Sequence, residues 1–307
     1  MAPGYIILIA ISIAIGAALV AALVVFAFLA IVLKRLVRPL KRGEAELIAN
    51  EKENKVFSDE WLKIPHKEWT RTSRYGYNVT GYMYDFGFGR IMVCLHGHNS
   101  SHISQLKYMD MFRAMGYDVF IPDHRRSGKS GGDTITFGAK ESGDVEDWIQ
   151  VLREKYPGRE ISLFGESMGA ATAILVASKT SGLGSLIEYC GYANFEGLLT
   201  RYFKSERLRK AAARLIKPVA KHIYGFDPDD CDALKAIKKV DCPALIMHSK
   251  ADRTVTYQNA LMLKTGKPDA AFLSFENSRH ACSLKYYPEE FTAAVRDFPA
   301  LAEEEKR

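Results

Sequence analysis

Ile161-Ser162-Leu163-Phe164-Gly165-Glu166-Ser167-Met168-Gly169-Ala170-Ala171 is the stretch on which the reading of this chain turns. An apolar, strand-like run feeds Gly-x-Ser-x-Gly, and an Ala-rich helical run follows at once, to Ser178. Strand, tight turn and helix in that order form a nucleophile elbow. The turn leaves no room for bulk two residues before and two after the serine, which accounts for Gly165 and Gly169. It lifts the Ser167 hydroxyl clear of a sheet and over a helix N-terminus, where the dipole favours developing negative charge. Glycine and serine are common residues, so the five-residue pattern alone carries little; the strand before it and the helix after it give it meaning.

A serine hydroxyl is a poor nucleophile near neutral pH and needs a base and an orienting acid. Both follow downstream in the order Ser, acid, His. Pro243 to Ser249 reads as a buried strand, and the loop leaving it, Lys250 to Val255, holds the candidate acid Asp252. Ala271 to Glu276 reads as the next strand, and His280 in the loop after it is the candidate base. Loops at the carboxyl ends of strands in an open α/β sheet converge on one crevice. The competing readings are a turn residue for Asp252 and a surface histidine for His280.

Acyl transfer also needs donors for an oxyanion. Ile91 to Leu95 reads as a buried strand ending in His96-Gly97-His98-Asn99-Ser100. A His-Gly turn there can aim the backbone N–H of His98 at a carbonyl oxygen, with Met168, the residue after the nucleophile, supplying the second backbone donor. A metal site from His96, His98 and His102 is the rival reading. It lacks a paired carboxylate or cysteine cluster, so we expect no metal and no cofactor.

On these residues the chain resembles the α/β-hydrolase superfamily, with matches spread from about residue 67 to 298. Gly116 to Ser130 adds to the resemblance through Gly-Tyr…Pro-Asp-x-Arg, although Arg126 stands where the family pattern has a glycine. Gly128-Lys129-Ser130 is not a phosphate-binding P-loop, because Asp123 occupies the position of the required first glycine. Within the superfamily the layout resembles small, N-terminally membrane-anchored serine esterases of bacteria. The resemblance implies a mostly parallel sheet flanked by helices and a small helical lid. It also implies hydrolysis of carboxylic esters through an acyl-serine, on small-molecule or lipid-derived esters.

The anchor is legible without analogy. Tyr5 to Leu33 holds no charged residue, and its 29 positions exceed the roughly 20 that cross a bilayer. A cleaved signal peptide, the main alternative, needs a basic N-terminal region and a shorter apolar core. Lys34, Arg35, Arg38, Lys41 and Arg42 follow the span directly, and positive-inside bias places the domain after them in the cytoplasm of a single-pass membrane protein. Of the net charge of +6, these five bases carry most: without them 37 Lys and Arg face 36 Asp and Glu. The basic balance therefore reports topology and excludes a nucleic-acid footprint. Five cysteines without CxxC spacing read as free thiols, buried at Cys94 and Cys190.

The expected organisation is an anchor with its basic flank over 1–42, a polar approach segment over 43–66 and a hydrolase domain over 67–307. Within the domain, Glu68 to Asp85 reads as a hairpin broken at Tyr75 to Asn78, and helices are expected over 103–115, 140–155, 168–180, 256–266 and 288–298. The interruption at about 193–238 is too long for a simple crossover and reads as a lid. Eight Lys and Arg lie between Arg201 and Lys221 against the single acid Glu206, with apolar positions able to form a second face. That pattern is either a solvated basic face or a surface for anionic headgroups. A serine peptidase, thioesterase or acyltransferase, or a membrane-tethered binding protein, remains open at this level. The sequence sets no oligomeric state.

Overall fold

Six apolar runs become parallel strands because helices cover both of their faces, which suits near-continuous hydrophobic sequence. The computed structural model describes residues 3–304, leaving aside a few side chains, Arg201 among them; residues 305–307 of the charged tail lie outside the described residues. The strands are β1 (Lys67–Thr72), β2 (Asn78–Tyr84), β3 (Arg90–Leu95), β4 (Tyr117–Pro122), β5 (Glu160–Glu166), β6 (Leu186–Tyr189), β7 (Ala244–Ser249) and β8 (Ala271–Phe275). They form one sheet in the order β1-β2-β4-β3-β5-β6-β7-β8. β2 runs antiparallel to β1 and β4, and every other pairing is parallel. This is an α/β-hydrolase fold, with the hairpin of residues 67–84 on its edge.

The helices are α1 (Pro3–Val37), α2 (Glu44–Asn54), α3 (Met109–Ala114), α4 (Glu141–Lys155), α5 (Met168–Ala177), α6 (Phe195–Leu198), α7 (Glu206–Ile223), α8 (Ala233–Ile237), α9 (Gln258–Gly266), α10 (Ser283–Tyr286) and α11 (Pro288–Glu304). The helix expected over 103–115 is split, with a 3-10 run over His102–Tyr108 ahead of α3. Side chains alternate across the strands into two cores. Ile91, Val93, Leu95, Leu163 and Ile246 face one layer with α4, α5, α8 and α9. Met92, Cys94, Phe164, Leu245 and Met247 face the other with α3 and α11. All five cysteines are free and buried.

The N-terminal segments join these cores directly. α1 is one helix of 35 residues, about 52 Å long, and apolar enough to cross a membrane. From Ile7 to Phe28 its large side chains are exposed, but Leu29, Val32, Leu33 and Val37 are at most 3 % exposed and pack in the domain. Each such burial is worth roughly 2 kcal/mol relative to water. The Ile135 N–H donates to the Val37 carbonyl at 2.8 Å. The His98 ring is 2.6 Å from the Leu36 carbonyl, and the Arg126 guanidinium donates to the Pro39 carbonyl at 3.0 Å. Residues 43–66, expected as an approach segment, are folded onto the second core through Leu47 and Trp61. The Trp61 indole N–H donates to Asp110 at 2.8 Å, so this stretch packs as a layer of the domain rather than linking two parts.

The residues after β6 hold α6, α7 and α8. α7 buries Ala212, Ile216 and Ala220 on one face and exposes Leu208 and Leu215 on another. It packs against α1, and the residues flanking it join the contact, Phe203 against Phe28 and the Tyr224 ring under Arg38, the residue after α1. Part of its basic run is neutralised by acids the sequence count left outside the run: Lys217 pairs with Asp227 and Asp229, and Lys221 with Asp227.

Candidate active site

β3 pairs with β4 on one side and β5 on the other, so the chain reverses its direction of travel across the sheet between them. Ligands of open α/β sheets bind at such switch points, beyond the strands' carboxyl ends. The loop after β3 carries His96-Gly97-His98, and the turn after β5 carries Ser167. At the elbow the backbone contacts dictate glycine. A Cβ on Gly165 would lie 2.3 Å from the Gly169 carbonyl oxygen, and one on Gly169 would lie 2.0 Å from the Leu95 carbonyl oxygen. Ser167 itself takes φ 58°, a left-handed conformation costing about 1–3 kcal/mol that the surrounding contacts hold in place.

The three residues expected to cooperate are brought together. The Ser167 hydroxyl lies 2.8 Å from His280 Nε2, and His280 Nδ1 lies 2.6 Å from Asp252 Oδ2. A carboxylate only accepts, so Nδ1 carries the proton and Nε2 offers its lone pair to the serine O–H. The other oxygen of Asp252 accepts the backbone N–H groups of Thr254 and Val255 at 2.8 and 3.0 Å, which fixes the carboxylate. Burial alone would raise the Asp252 pKa, but hydrogen bonds from His248 and His280 outweigh it and hold the carboxyl well below its ordinary range. The loops bearing Asp252 and His280 are tied together: the Ser249 hydroxyl donates to the Ser278 carbonyl at 2.7 Å and accepts the Ser278 N–H at 3.0 Å.

Met168 heads α5, and the first N–H groups of a helix have no intrahelical acceptor. Among the described residues, neither its N–H nor that of His98 donates a hydrogen bond. Two free backbone donors thus flank the serine. The three histidines of the alternative metal reading do not converge. His96 is buried, accepts the His124 N–H at 2.9 Å and bonds the Gly97 carbonyl at 2.8 Å, bracing the turn. His98 reaches Leu36, and His102 pairs with Asp123. Cys190, Asp252 and His280 do offer ligand atoms within 4.8 Å of one another. Both nitrogens of His280 are already engaged, however, so that cluster is the geometry of the relay itself.

Several residues at the site carry no motif. Glu166, just before Ser167 in the chain, is buried. It lies 2.7 Å from Lys107 and 3.2 Å from Lys55, which in turn pair with Glu51 at 3.2 and 3.3 Å. The Tyr108 hydroxyl donates to Glu166 at 2.6 Å. Against a desolvation penalty, the two lysines hold the Glu166 pKa near 2. His248 adds a second imidazole beside Asp252, 3.5 Å away, while bonding the Val255 carbonyl at 2.9 Å. The departure at Arg126 also has its reason. That residue adopts φ 60°, which a glycine takes freely, and here its side chain clasps the chain leaving α1. Gly128 is held to glycine, since a Cβ there would fall 1.9 Å from an Asp123 oxygen.

Over Ser167 opens a cleft of about 930 Å³, lined by the loops after β3, β5, β7 and β8 and by Arg42, Leu47, Glu51 and Lys55 of the N-terminal layer.

Sheet order, elbow and the helical segment after β6 define an α/β-hydrolase fold. Residues 89–224 match the family model for serine aminopeptidases of the S33 type, a span that includes the elbow. A protein of Bacillus subtilis (strain 168), described as uncharacterized protein YqkD, is 29 % identical over 270 residues, covering 84 % of this chain and 87 % of its own. The Pyrococcus furiosus esterase Pf2001 superposes with a TM-score of 0.65 at 22 % identity, over 81 % of this chain and 96 % of its own. Pyrococcus horikoshii acylaminoacyl peptidase does so with a TM-score of 0.56 at 16 % identity, over 79 % of this chain and 41 % of its own. One neighbour is an esterase and the other a peptidase, so the shared fold leaves the leaving group open.

Proposed function

We propose that the protein hydrolyses carboxylic esters by two-step acyl transfer through Ser167. The observation that carries this reading is the relay Ser167–His280–Asp252, closed at 2.8 and 2.6 Å on a strained elbow. His280 takes the serine proton as Ser167 attacks the ester carbonyl, and Asp252 holds the imidazole and stabilises its charged form. The backbone N–H groups of His98 and Met168 bind the oxyanion, at about 3 kcal/mol per donor. His280 then protonates the leaving alcohol and next activates the water that releases the acid. Every proton transfer is served by these residues, and the cycle calls on no metal or organic cofactor.

The S33 match raises an aminopeptidase as the second reading. Such an enzyme must hold a substrate ammonium with carboxylates facing the cleft. Here the acids of the lining are Glu51 and Glu166, each bound to Lys55 and Lys107, and that favours the ester. Turnover of 4-nitrophenyl esters against aminoacyl 4-nitroanilides separates the two. Ester cleavage lost in Ser167→Ala is expected, and anilide cleavage in the absence of ester cleavage would overturn the assignment.

We also propose that α1 spans the cell membrane with the hydrolase domain on the cytoplasmic side, and that Leu208 and Leu215 of α7 touch the same leaflet. Long apolar length, the basic run at Lys34 to Arg42 and the contacts of α7 with α1 support this placement. Labelling of single cysteines by an impermeant reagent in intact cells tests the orientation, since labelling of the domain from outside would reverse it.

A further inference from the structure

The cleft over Ser167 has a charge pattern that the acyl-transfer machinery does not use. Arg253 directly follows Asp252 and Arg279 directly precedes His280, so the relay that fixes those two loops also fixes where both arginines leave the backbone. Both line the cleft, and both are exposed. Among the described residues neither guanidinium makes a hydrogen bond or an ion pair, although each has five donors to give. Arg42, at the end of the basic run after α1, joins them in the lining, and its partner Glu46 is itself exposed.

Nothing in the lining offsets this charge. The two carboxylates there, Glu51 and Glu166, are buried and spent on Lys55 and Lys107. His280 becomes cationic during each step of acyl transfer, so added positive charge close by would hinder turnover of a neutral ester. It is compensated when the substrate brings an anion of its own. Unpaired guanidinium forks match carboxylate and phosphate geometry, and each is one residue along the chain from a member of the relay.

We propose that the substrate of this site is an anionic ester, whose carboxylate or phosphate is held by Arg253 and Arg279 with Arg42 in the same lining. This rests on the reading of Ser167 as the nucleophile. The anion can belong to the acyl part, as in a half-ester of a dicarboxylic acid, or to the alcohol part, as in an acylated phosphate-bearing lipid. The chemistry of recognition is the same for both.

The test uses the full chain in neutral detergent and two matched pairs. The first is the mono-4-nitrophenyl ester of adipic acid against 4-nitrophenyl hexanoate. The second is a lysophosphatidic acid against the monoacylglycerol of the same acyl chain. In at least one pair, kcat/KM for the anionic member is expected to exceed the neutral one by about ten-fold at low salt, mainly through KM. The ratio falls as salt rises. It collapses toward one in the double variant Arg253→Gln/Arg279→Gln and persists in part in the Arg→Lys counterparts, which separates charge from packing. The pair that shows the preference tells which side of the ester bears the anion.

Equal or better turnover of the neutral member in both pairs overturns the proposal while leaving the serine reading intact. So does a ratio that the double variant leaves unchanged. Loss of fluorophosphonate labelling at Ser167 in the folded wild type would instead remove the serine reading and the proposal together.

Discussion

The site loops and the N-terminal layer sit side by side over the same cleft, but they are built in different ways. Ser167 and His280 are 113 positions apart, yet each is placed by its own few neighbours: an elbow between two glycines, an acid pinned by the next turn's N–H groups, and a loop tied to its partner by Ser249 and Ser278. The layer formed by the end of α1 and residues 43–66 has no such local logic. It is held by burial of Leu29, Leu33, Val37, Leu47 and Trp61, and by charges that find partners far along the chain. Local chemistry places the relay groups, and long-range packing makes the cleft that surrounds them. The single helix α1 shows the contrast within itself, since its exposed half meets its surroundings as an apolar surface and its last turns belong to a protein core.

The comparison can be broken on either side. The largest effect is expected from Asp252→Asn, which leaves the loop but destroys the tautomer His280 needs; kcat for ester hydrolysis should fall by about 10⁴ while circular dichroism stays native. On the other side, Leu33→Ala removes core packing from a residue that an isolated anchor would not need. It should cost about 2–5 kcal/mol of stability in detergent, read by denaturant melts, whereas Leu23→Ala on the exposed half should cost far less. An equal effect at both positions would mean that the end of α1 is not docked.

A smaller effect sharpens the picture beneath the site. Glu188 on β6 is wholly buried, and burial raises its pKa to about 7. A folded value above the unfolded one means that the native state holds the proton longer, so stability falls as pH rises from about 4.5 to 7. Glu188→Gln should therefore be more stable than wild type at pH 8, by about 3 kcal/mol, with the difference gone near pH 4. Melting curves at the two pH values measure this, and a difference independent of pH would contradict it.

The contrast also decides what the sequence alone discloses. The elbow, Asp252, His280 and the hairpin were legible because each is written in a few consecutive residues whose steric and chemical demands are known. The docking of α1 was not, because in a run as apolar as Tyr5 to Leu33 no face stands out, and Leu29, Val32, Leu33 and Val37 look like any other span residues. Residues 43–66 read as polar because Glu51 and Lys55 count as solvated charges until Lys107 and Glu166 are seen beside them. His98 was read through its backbone alone, and its ring turned out to reach Leu36. Arg126 looked like a damaged motif and is a clasp on the chain after α1. His248 had no signal beyond lying in a strand next to the acid's loop. Only its distance from Asp252 gives it a place in the site.

The central claim is that Ser167 is an activated nucleophile driven by His280 and Asp252. The most direct measurement is covalent labelling by a fluorophosphonate, with the modified peptide identified by mass spectrometry in wild type, Ser167→Ala and His280→Ala. The account predicts one adduct on Ser167 in the wild type and none in either folded variant. An adduct on another residue, or labelling that survives the loss of His280 undiminished, would contradict it.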